Sequence, residues 1–298
     1  MNKEEESFLT SPNVRKVFCV SGGRTGTKFL ADQIPQIIHG VYGIHEPDKV
    51  SHEFSLLELC SRVGTRGLMS LTILKAMGLT GTRNHSLNRL KGKISSEDVL
   101  QGLVSERRWI KGDFSIYLEA NYQLFGLVED LCRLDNTYIV LFVRNPEDWL
   151  RSWMNKLWYG RWDLLTVVNM FGLKRLTPEN IGLVCNSWNN YSRIQKLSWV
   201  WNYLTERFCS LEKGQSDKIH LFRFEDLFVN KTLSEISRFL NIVHGEIPSQ
   251  YEVEHFLDIL AHKVNASKTV KSDCRSGVNS SIDIQYINHD LMNTLGYR

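Results

Sequence analysis

The sequence predicts an α/β protein: a three-layer fold with a central parallel sheet, a P-loop-like phosphate cradle and helical insertions. Three observations predict it. The β-branched and aromatic run Val17–Val20 leads through a glycine-rich, cationic turn into an apolar-periodic helix. Thr137–Val143, Thr-Tyr-Ile-Val-Leu-Phe-Val, is an unbroken apolar run of the kind buried on both faces of a parallel sheet. Helical periodicities alternate with such runs along the chain, which places helices on both faces of the sheet.

In order, the pattern predicts a strand at 17–20 and a helix from about 26, in which Leu30, Ile34, Ile37 and Ile38 repeat at helical spacing and Pro35 marks a kink or an early end. A helical insertion follows over about 54–104. Strands at 138–143 and 219–223 come next, with helices from 146, 186 and 232; in the last, Leu233, Ile236 and Leu240 form one apolar face. With 298 residues and 42% hydrophobic content the chain can bury one large core, and no linker composition divides it. The expected organisation is a flexible, acid-rich tail over 1–14, broken by Ser11-Pro12 and lacking a signal-peptide core, then a single domain over 15–298. No apolar run reaches membrane-spanning length.

The turn after the first strand carries the chemistry. Gly22, Gly23 and Gly26 let the backbone curl with its amides inward, and Arg24, Thr25, Thr27 and Lys28 add charge and hydroxyls where the next helix presents its positive end. The expected ligand is an oxyanion. A Walker A loop would end in Gly-Lys-Ser/Thr, its last hydroxyl on Mg²⁺. Here Gly22 and Gly26 are four apart, Thr27 separates Gly26 from Lys28, and Phe29 follows the lysine. An ordinary metal-dependent P-loop kinase is disfavoured, while a nucleotide bound without metal stays open.

Thr137–Val143 stops at Arg144. Asn145 suits an N-cap, Pro146 the first helical position, and Glu147 and Asp148 the first turn. Arg144 therefore lies at a strand's C-terminal end, where open α/β sheets bind ligands, with Ser152 two turns along the next helix. Either motif alone has an ordinary structural explanation, as a tight βα turn or as an arginine and a serine of a surface helix. Together and in order they argue against that.

At these residues the chain resembles the sulfotransferases that use 3′-phosphoadenosine 5′-phosphosulfate (PAPS) as sulfuryl donor. The family's 5′-phosphosulfate loop, a basic residue followed by Ser/Thr-Gly-Thr-Thr and often an aromatic, is similar to Arg24-Thr25-Gly26-Thr27-Lys28-Phe29, with Lys28 in place of the second threonine. Its 3′-phosphate motif, an Arg at a strand end and a Ser eight residues on, is similar to Arg144 and Ser152. Phe224-Glu225-Asp226-Leu227 resembles a family turn after a later strand. The resemblance covers about residues 15–240. It implies PAPS as co-substrate without a required metal, Gly22 through Phe29 with Arg144 and Ser152 as its ligands, and Lys28 and Arg24 stabilising charge as sulfur leaves the phosphate. Phe29 would stand where relatives stack adenine on Trp. Arg275, with Lys268 and Lys271, corresponds weakly to a basic element that closes the 3′-phosphate site in relatives.

For a general base the segment Gly43-Ile44-His45-Glu46-Pro47-Asp48 offers His45 and Glu46 side by side. In an extended segment they would point opposite ways, so that one faces the site. Glu46 is preferred, because Glu is the base in carbohydrate-directed branches of the family. Lys111, Asp113, Glu119 and Asn121 are acceptor-side candidates whose alternative is capping and surface polarity. Of the tryptophans Trp149, Trp153, Trp158, Trp162, Trp188, Trp199 and Trp201, one or two are expected to line the acceptor cleft and the rest to serve the core.

A net charge of +3 is too small to suggest nucleic-acid binding. Between Glu58 and Glu97 there is no acidic residue but seven basic ones, among them Arg83, Arg89, Lys91 and Lys93, which read either as a basic wall for an acidic acceptor or as a solvated helical face. The six cysteines Cys19, Cys60, Cys132, Cys185, Cys209 and Cys274 show no metal-binding spacing, and reduced thiols are expected. The resemblance and the absence of an anchor imply a cytoplasmic enzyme acting on a hydroxyl or amine of a carbohydrate or glycolipid. The alternatives are a small-molecule phosphotransferase with an unusual P-loop and a non-catalytic nucleotide-binding module.

Overall fold

The computed structural model describes residues 7–47, 81–154, 175–215, 217–264 and 284–297. At its centre is a five-stranded sheet, β1 (Arg15–Ser21), β2 (Val41–His45), β3 (Ile116–Ala120), β4 (Thr137–Val143) and β5 (Ile219–Arg223), in the order β2-β3-β1-β4-β5 with every pairing parallel. The fold is therefore the expected α/β architecture, with helices on both faces.

One face is covered by α1 (Thr27–Ile37) and by two later helices, Leu233–His244 and Gln250–Val264. Their apolar side chains, Ile34, Ile236, Phe239 and Phe256 among them, close on Val17, Val140 and Phe222 of the sheet. The other face carries α2 (Thr82–Leu90), α3 (Ser96–Arg107), the short α4 (Val128–Leu131), α5 (Pro146–Met154) and the 22-residue α6 (Arg193–Gly214). Phe18, Val20 and Leu141 of the sheet pack there against Trp149, Leu204 and Phe208. After β5 come α7 (Phe224–Phe228), then α8 and α9, the two helices already placed on the first face, and α10 (His289–Thr294). Among the described residues no helix is long and apolar enough to cross a membrane.

The strand order fixes the place of the site. The chain leaves β1 toward β2 on one side and later crosses to β4 on the other, so the carboxyl ends of β1 and β4 flank the switch point where a crevice opens in such sheets.

Several expectations change. β2 and β3 go unnoticed in the sequence, and the helix expected from 186 begins at Arg193, where Ser192 and Gln195 form a capping box; only a 3₁₀ turn, Trp188–Asn190, precedes it. From residue 7 the supposed tail is packed: Leu9 is buried in the core, and the Phe8 ring lies 4.4 Å from that of Tyr117. The insertion is helical at 82–90 and 96–107, while 54–80 lies outside the described residues. Of its basic residues, Arg89 pairs with buried Asp130 at 3.0 Å and Lys91 donates to the Glu179 carbonyl, so this part is not simply a solvated face.

Pro35 lies within α1, which ends two residues later. Lacking an N–H, it leaves the Ala31 carbonyl without its helical donor. That carbonyl faces Gly43 of β2, where an added Cβ would sit 2.1 Å from the oxygen and 2.7 Å from Pro35 Cγ. Gly43→Ala should therefore force α1 off the sheet and cost at least about 1–3 kcal/mol; a denaturant midpoint unchanged from wild type would contradict this.

Cys19, Cys132 and Cys209 are buried thiols. Burial pushes Cys132 up to about 12 and raises the other two. Site-resolved alkylation of the native protein at pH 8 should modify half-exposed Cys185 well before these three, which should react only on unfolding.

Candidate functional site

The glycine-rich loop that the sequence reads as a phosphate cradle is built where β1 ends. Ser21 Oγ accepts from the Gly23 amide at 3.1 Å, and the chain then turns through positive φ at Gly23 (79°), Arg24 (60°) and Gly26 (67°). Gly23 is required twice over, because a Cβ there would also lie 2.9 Å from Trp153 Cζ2. Gly26 stands at the N-cap of α1, whose N-terminus receives no side-chain cap. Within that first turn the Phe29 amide donates to the Gly26 carbonyl at 2.9 Å. Lys28 and Arg24 are exposed, while Thr25 and Thr27 are buried.

The second motif folds onto the first. Asn145 caps α5, its Oδ1 accepting from the amides of Glu147 and Asp148 at 3.0 and 3.4 Å, as its sequence position predicts. Arg144 Nη1 donates to the Arg24 carbonyl at 2.8 Å, and Arg24 Nε donates to Ser152 Oγ at 2.9 Å. Two segments 120 residues apart in sequence thus place two guanidiniums and a hydroxyl together at the switch point.

The surroundings hold this arrangement through residues whose roles the sequence does not announce. Trp149 Nε1 donates to the Gly23 carbonyl and Trp201 Nε1 to that of Arg144, each at 3.0 Å. The Arg144 guanidinium lies 4.6 Å from the Phe224 ring. Glu225 accepts from the Asn145 amide and from the Tyr297 hydroxyl, each at 2.9 Å. The Phe-Glu-Asp-Leu segment, a turn by the resemblance, is the short helix Phe224–Phe228, and its service to Arg144 and Asn145 is not announced by the sequence.

Burial pushes the Arg144 guanidinium down from its ordinary value and Arg24 adds to this, while Asp148 and Glu225 oppose it. It nonetheless stays cationic at physiological pH. Arg144 Nε and Thr25 Oγ1 are buried without a hydrogen-bond partner among the described residues, and both side chains line one cavity of about 10 Å³. Buried polar atoms of this kind are normally satisfied, so the site is built to receive further polar atoms. No protein-family model and no curated protein matches the chain. Function is therefore argued from these residues.

His45 and Glu46 lie at the same edge of the sheet, two strands from β1 and so about 10 Å across it. The expectation that they point opposite ways is corrected. Glu46 adopts φ 47°, which ends the strand alternation, and His45 Nε2 comes within 3.5 Å of its Oε1. Glu46 is buried and His45 partly so, and the two side chains lie against each other.

Other candidates are placed differently. Phe29 packs edge-on to Phe228, with ring centroids 5.9 Å apart, and tilted against Phe256, 6.5 Å away. Glu119 is a structural group held by Arg107, and Asn121 caps a 3₁₀ turn by accepting from the Gln123 amide. Asp113 and Lys111 are exposed. Arg275, Lys268, Lys271, Trp158 and Trp162 lie outside the described residues, as do Cys60 and Cys274. Among the described residues no cluster of His, Cys, Asp and Glu is arranged to hold a metal ion.

Proposed function

We propose that this protein is a PAPS-dependent sulfotransferase acting on an acceptor hydroxyl. The observation that carries the reading is the junction of the two motifs, Arg144 on the Arg24 carbonyl and Arg24 on Ser152. A donor carrying phosphates at both ends of its ribose needs two anion sites in one crevice, and in this reading they are the positive N-terminal end of α1 and the Arg144–Ser152 pair.

In this reading the loop amides, Thr25, Thr27 and Lys28 hold the 5′-phosphosulfate, and Arg144 with Ser152 holds the 3′-phosphate. The acceptor oxygen bonds to sulfur as the S–O bond to the 5′-phosphate breaks, its electron pair staying on the phosphate. Lys28 and Arg24 stabilise that developing charge. The acceptor proton passes to Glu46, with His45 beside it to carry the proton on. Phe29, packed into an aromatic cluster where a Walker A loop needs a metal-binding hydroxyl, favours this chemistry over phosphoryl transfer.

The test is product analysis. The protein is incubated with PAPS and a panel of hydroxylated acceptors, or with ATP and Mg²⁺, and the nucleotides are resolved by ion-pair chromatography. Acceptor-dependent formation of 3′-phosphoadenosine 5′-phosphate, abolished by Lys28→Ala, is expected. Consumption of ATP with PAPS left intact would replace the reading with a phosphotransferase.

A further inference from the structure

Residues 284–297 return to the edge of the site, and two side chains from other elements hold them there. Asn202 of α6 clamps the entry to α10: its Nδ2 donates to the Tyr286 carbonyl and its Oδ1 accepts from the Asn288 amide, each at 2.9 Å. Arg223, the last residue of β5, donates from Nη1 to the carbonyls of Leu295 and Gly296 at 3.0 and 3.3 Å, and from Nη2 to Asp226 at 2.9 Å. Gly296 sits at φ 71°, and a Cβ there would lie 3.0 Å from Arg223 Nη1, so this approach favours glycine.

These contacts deliver Tyr297 to the site. Its side chain is buried, and its hydroxyl donates to Glu225 Oε2 at 2.9 Å. The other oxygen, Oε1, accepts at 2.9 Å from the amide of Asn145, the residue next to Arg144. Burial, with Glu225 adding to it, pushes the Tyr297 phenol well above its ordinary range, so it remains a donor.

A carboxylate is thereby kept beside a cation without being spent on it. Glu225 is one of two acids whose charge acts on Arg144, and the other, Asp148, is exposed. Arg144 itself donates to the Arg24 carbonyl and lies against Phe224, the neighbour of Glu225 in the chain. A carboxylate that closed on this guanidinium would gain a charge-assisted pair and occupy the cation that an anionic ligand needs. Two donors, one on each oxygen, fix Glu225 in a different pairing.

We propose that Tyr297 is a positioning residue for the anion site: it holds Glu225 off Arg144 and so leaves the guanidinium to the ligand. Without the hydroxyl, Oε2 loses its donor in a half-buried place, and Arg223 is already engaged by two carbonyls and Asp226. The carboxylate then turns to Arg144. That the ligand is the 3′-phosphate of PAPS rests on the sulfotransferase reading; the competition between Glu225 and an anion for Arg144 does not.

The test is calorimetric titration of the full chain with 3′-phosphoadenosine 5′-phosphate, AMP and ATP. Wild type is compared with Tyr297→Phe and with the double variant Tyr297→Phe, Glu225→Gln, each checked for folding by circular dichroism. Tyr297→Phe should lose about tenfold in affinity for the bisphosphate, the scale of one charge-assisted hydrogen bond, and less for AMP. Glu225→Gln keeps an acceptor for the Asn145 amide but carries no charge, so the double variant should recover most of the loss. A hydroxyl needed only for stability would leave the double variant no better than the single one. That result, or unchanged affinity in Tyr297→Phe, would overturn the inference. Loss and rescue seen with ATP, without preference for the bisphosphate, would uphold it and remove the sulfotransferase reading. A preference for the bisphosphate that Tyr297→Phe leaves intact would keep that reading alone. Binding of none of the three nucleotides would overturn both.

Discussion

Arg107→Met is expected to destabilise the fold by about 3–5 kcal/mol, the range for breaking a buried ion pair. Arg107 and Glu119 are both fully buried, joined by two parallel hydrogen bonds of 2.6 Å from Nε and Nη2 to the two carboxylate oxygens. The Tyr117 hydroxyl and the Asn121 amide also donate to this carboxylate, at 2.7 and 2.9 Å. Burial, together with Glu119, pushes the Tyr117 phenol well above its ordinary range, so it remains a donor. Removing the guanidinium leaves a charge in the sheet that no solvent reaches. Replacing both partners, Arg107→Met with Glu119→Leu, should recover part of the loss, because the double variant no longer strands the Glu119 charge, although Glu106 loses the guanidinium 3.6 Å away and Tyr117 and Asn121 lose an acceptor. Urea denaturation of the single and double variants gives the comparison. A single variant within about 1 kcal/mol of wild type would show that the pair does not support β3 in this way.

The largest kinetic effect is expected at Glu46. Glu46→Gln keeps the shape of the side chain and removes its ability to take a proton, and loss of a positioned general base slows turnover by about 10²–10⁴-fold. His45→Gln should cost less if His45 carries the proton onward after Glu46 accepts it. Titration with 3′-phosphoadenosine 5′-phosphate should be unchanged in Glu46→Gln, since the carboxylate lies two strands from the cradle. Formation of that product from PAPS with a hydroxylated acceptor supplies the rate. A variant that turns over at the wild-type rate would remove Glu46 from the mechanism, and a large loss in His45→Gln alone would transfer the role to His45.

The sequence made the cradle legible because its elements are local: a strand, glycines at positive φ and a helix start are encoded within a dozen residues, and Gly23 and Gly26 adopt the conformations that only glycine takes easily. Arg144, Asn145 and Pro146 were legible for the same reason. β3 was not, because Ile-Tyr-Leu-Glu-Ala carries a glutamate at a position that is fully buried, and only its distant partner Arg107 makes that placement affordable. β2 was hidden by its length and by Gly43, whose purpose is the close approach of α1. The meeting of His45 and Glu46 depended on one backbone angle that no periodicity encodes. The neighbours that fix Arg144, namely Trp201, Phe224 and Glu225, come from elements whose adjacency is set only by the order of the strands.

The most direct measurement is calorimetric titration, in chelator, of wild type and Arg144→Ala with two ligands that differ only in the 3′-phosphate: 3′-phosphoadenosine 5′-phosphate and AMP. Wild type should prefer the bisphosphate. Arg144→Ala should lose roughly 10- to 100-fold in affinity for it, the worth of one or two charge-assisted hydrogen bonds, and should lose less for AMP, which Arg144 serves only through the Arg24 carbonyl it holds. Equal loss for both ligands, or no preference for the bisphosphate in wild type, would contradict a 3′-phosphate site at Arg144 and with it the sulfotransferase assignment.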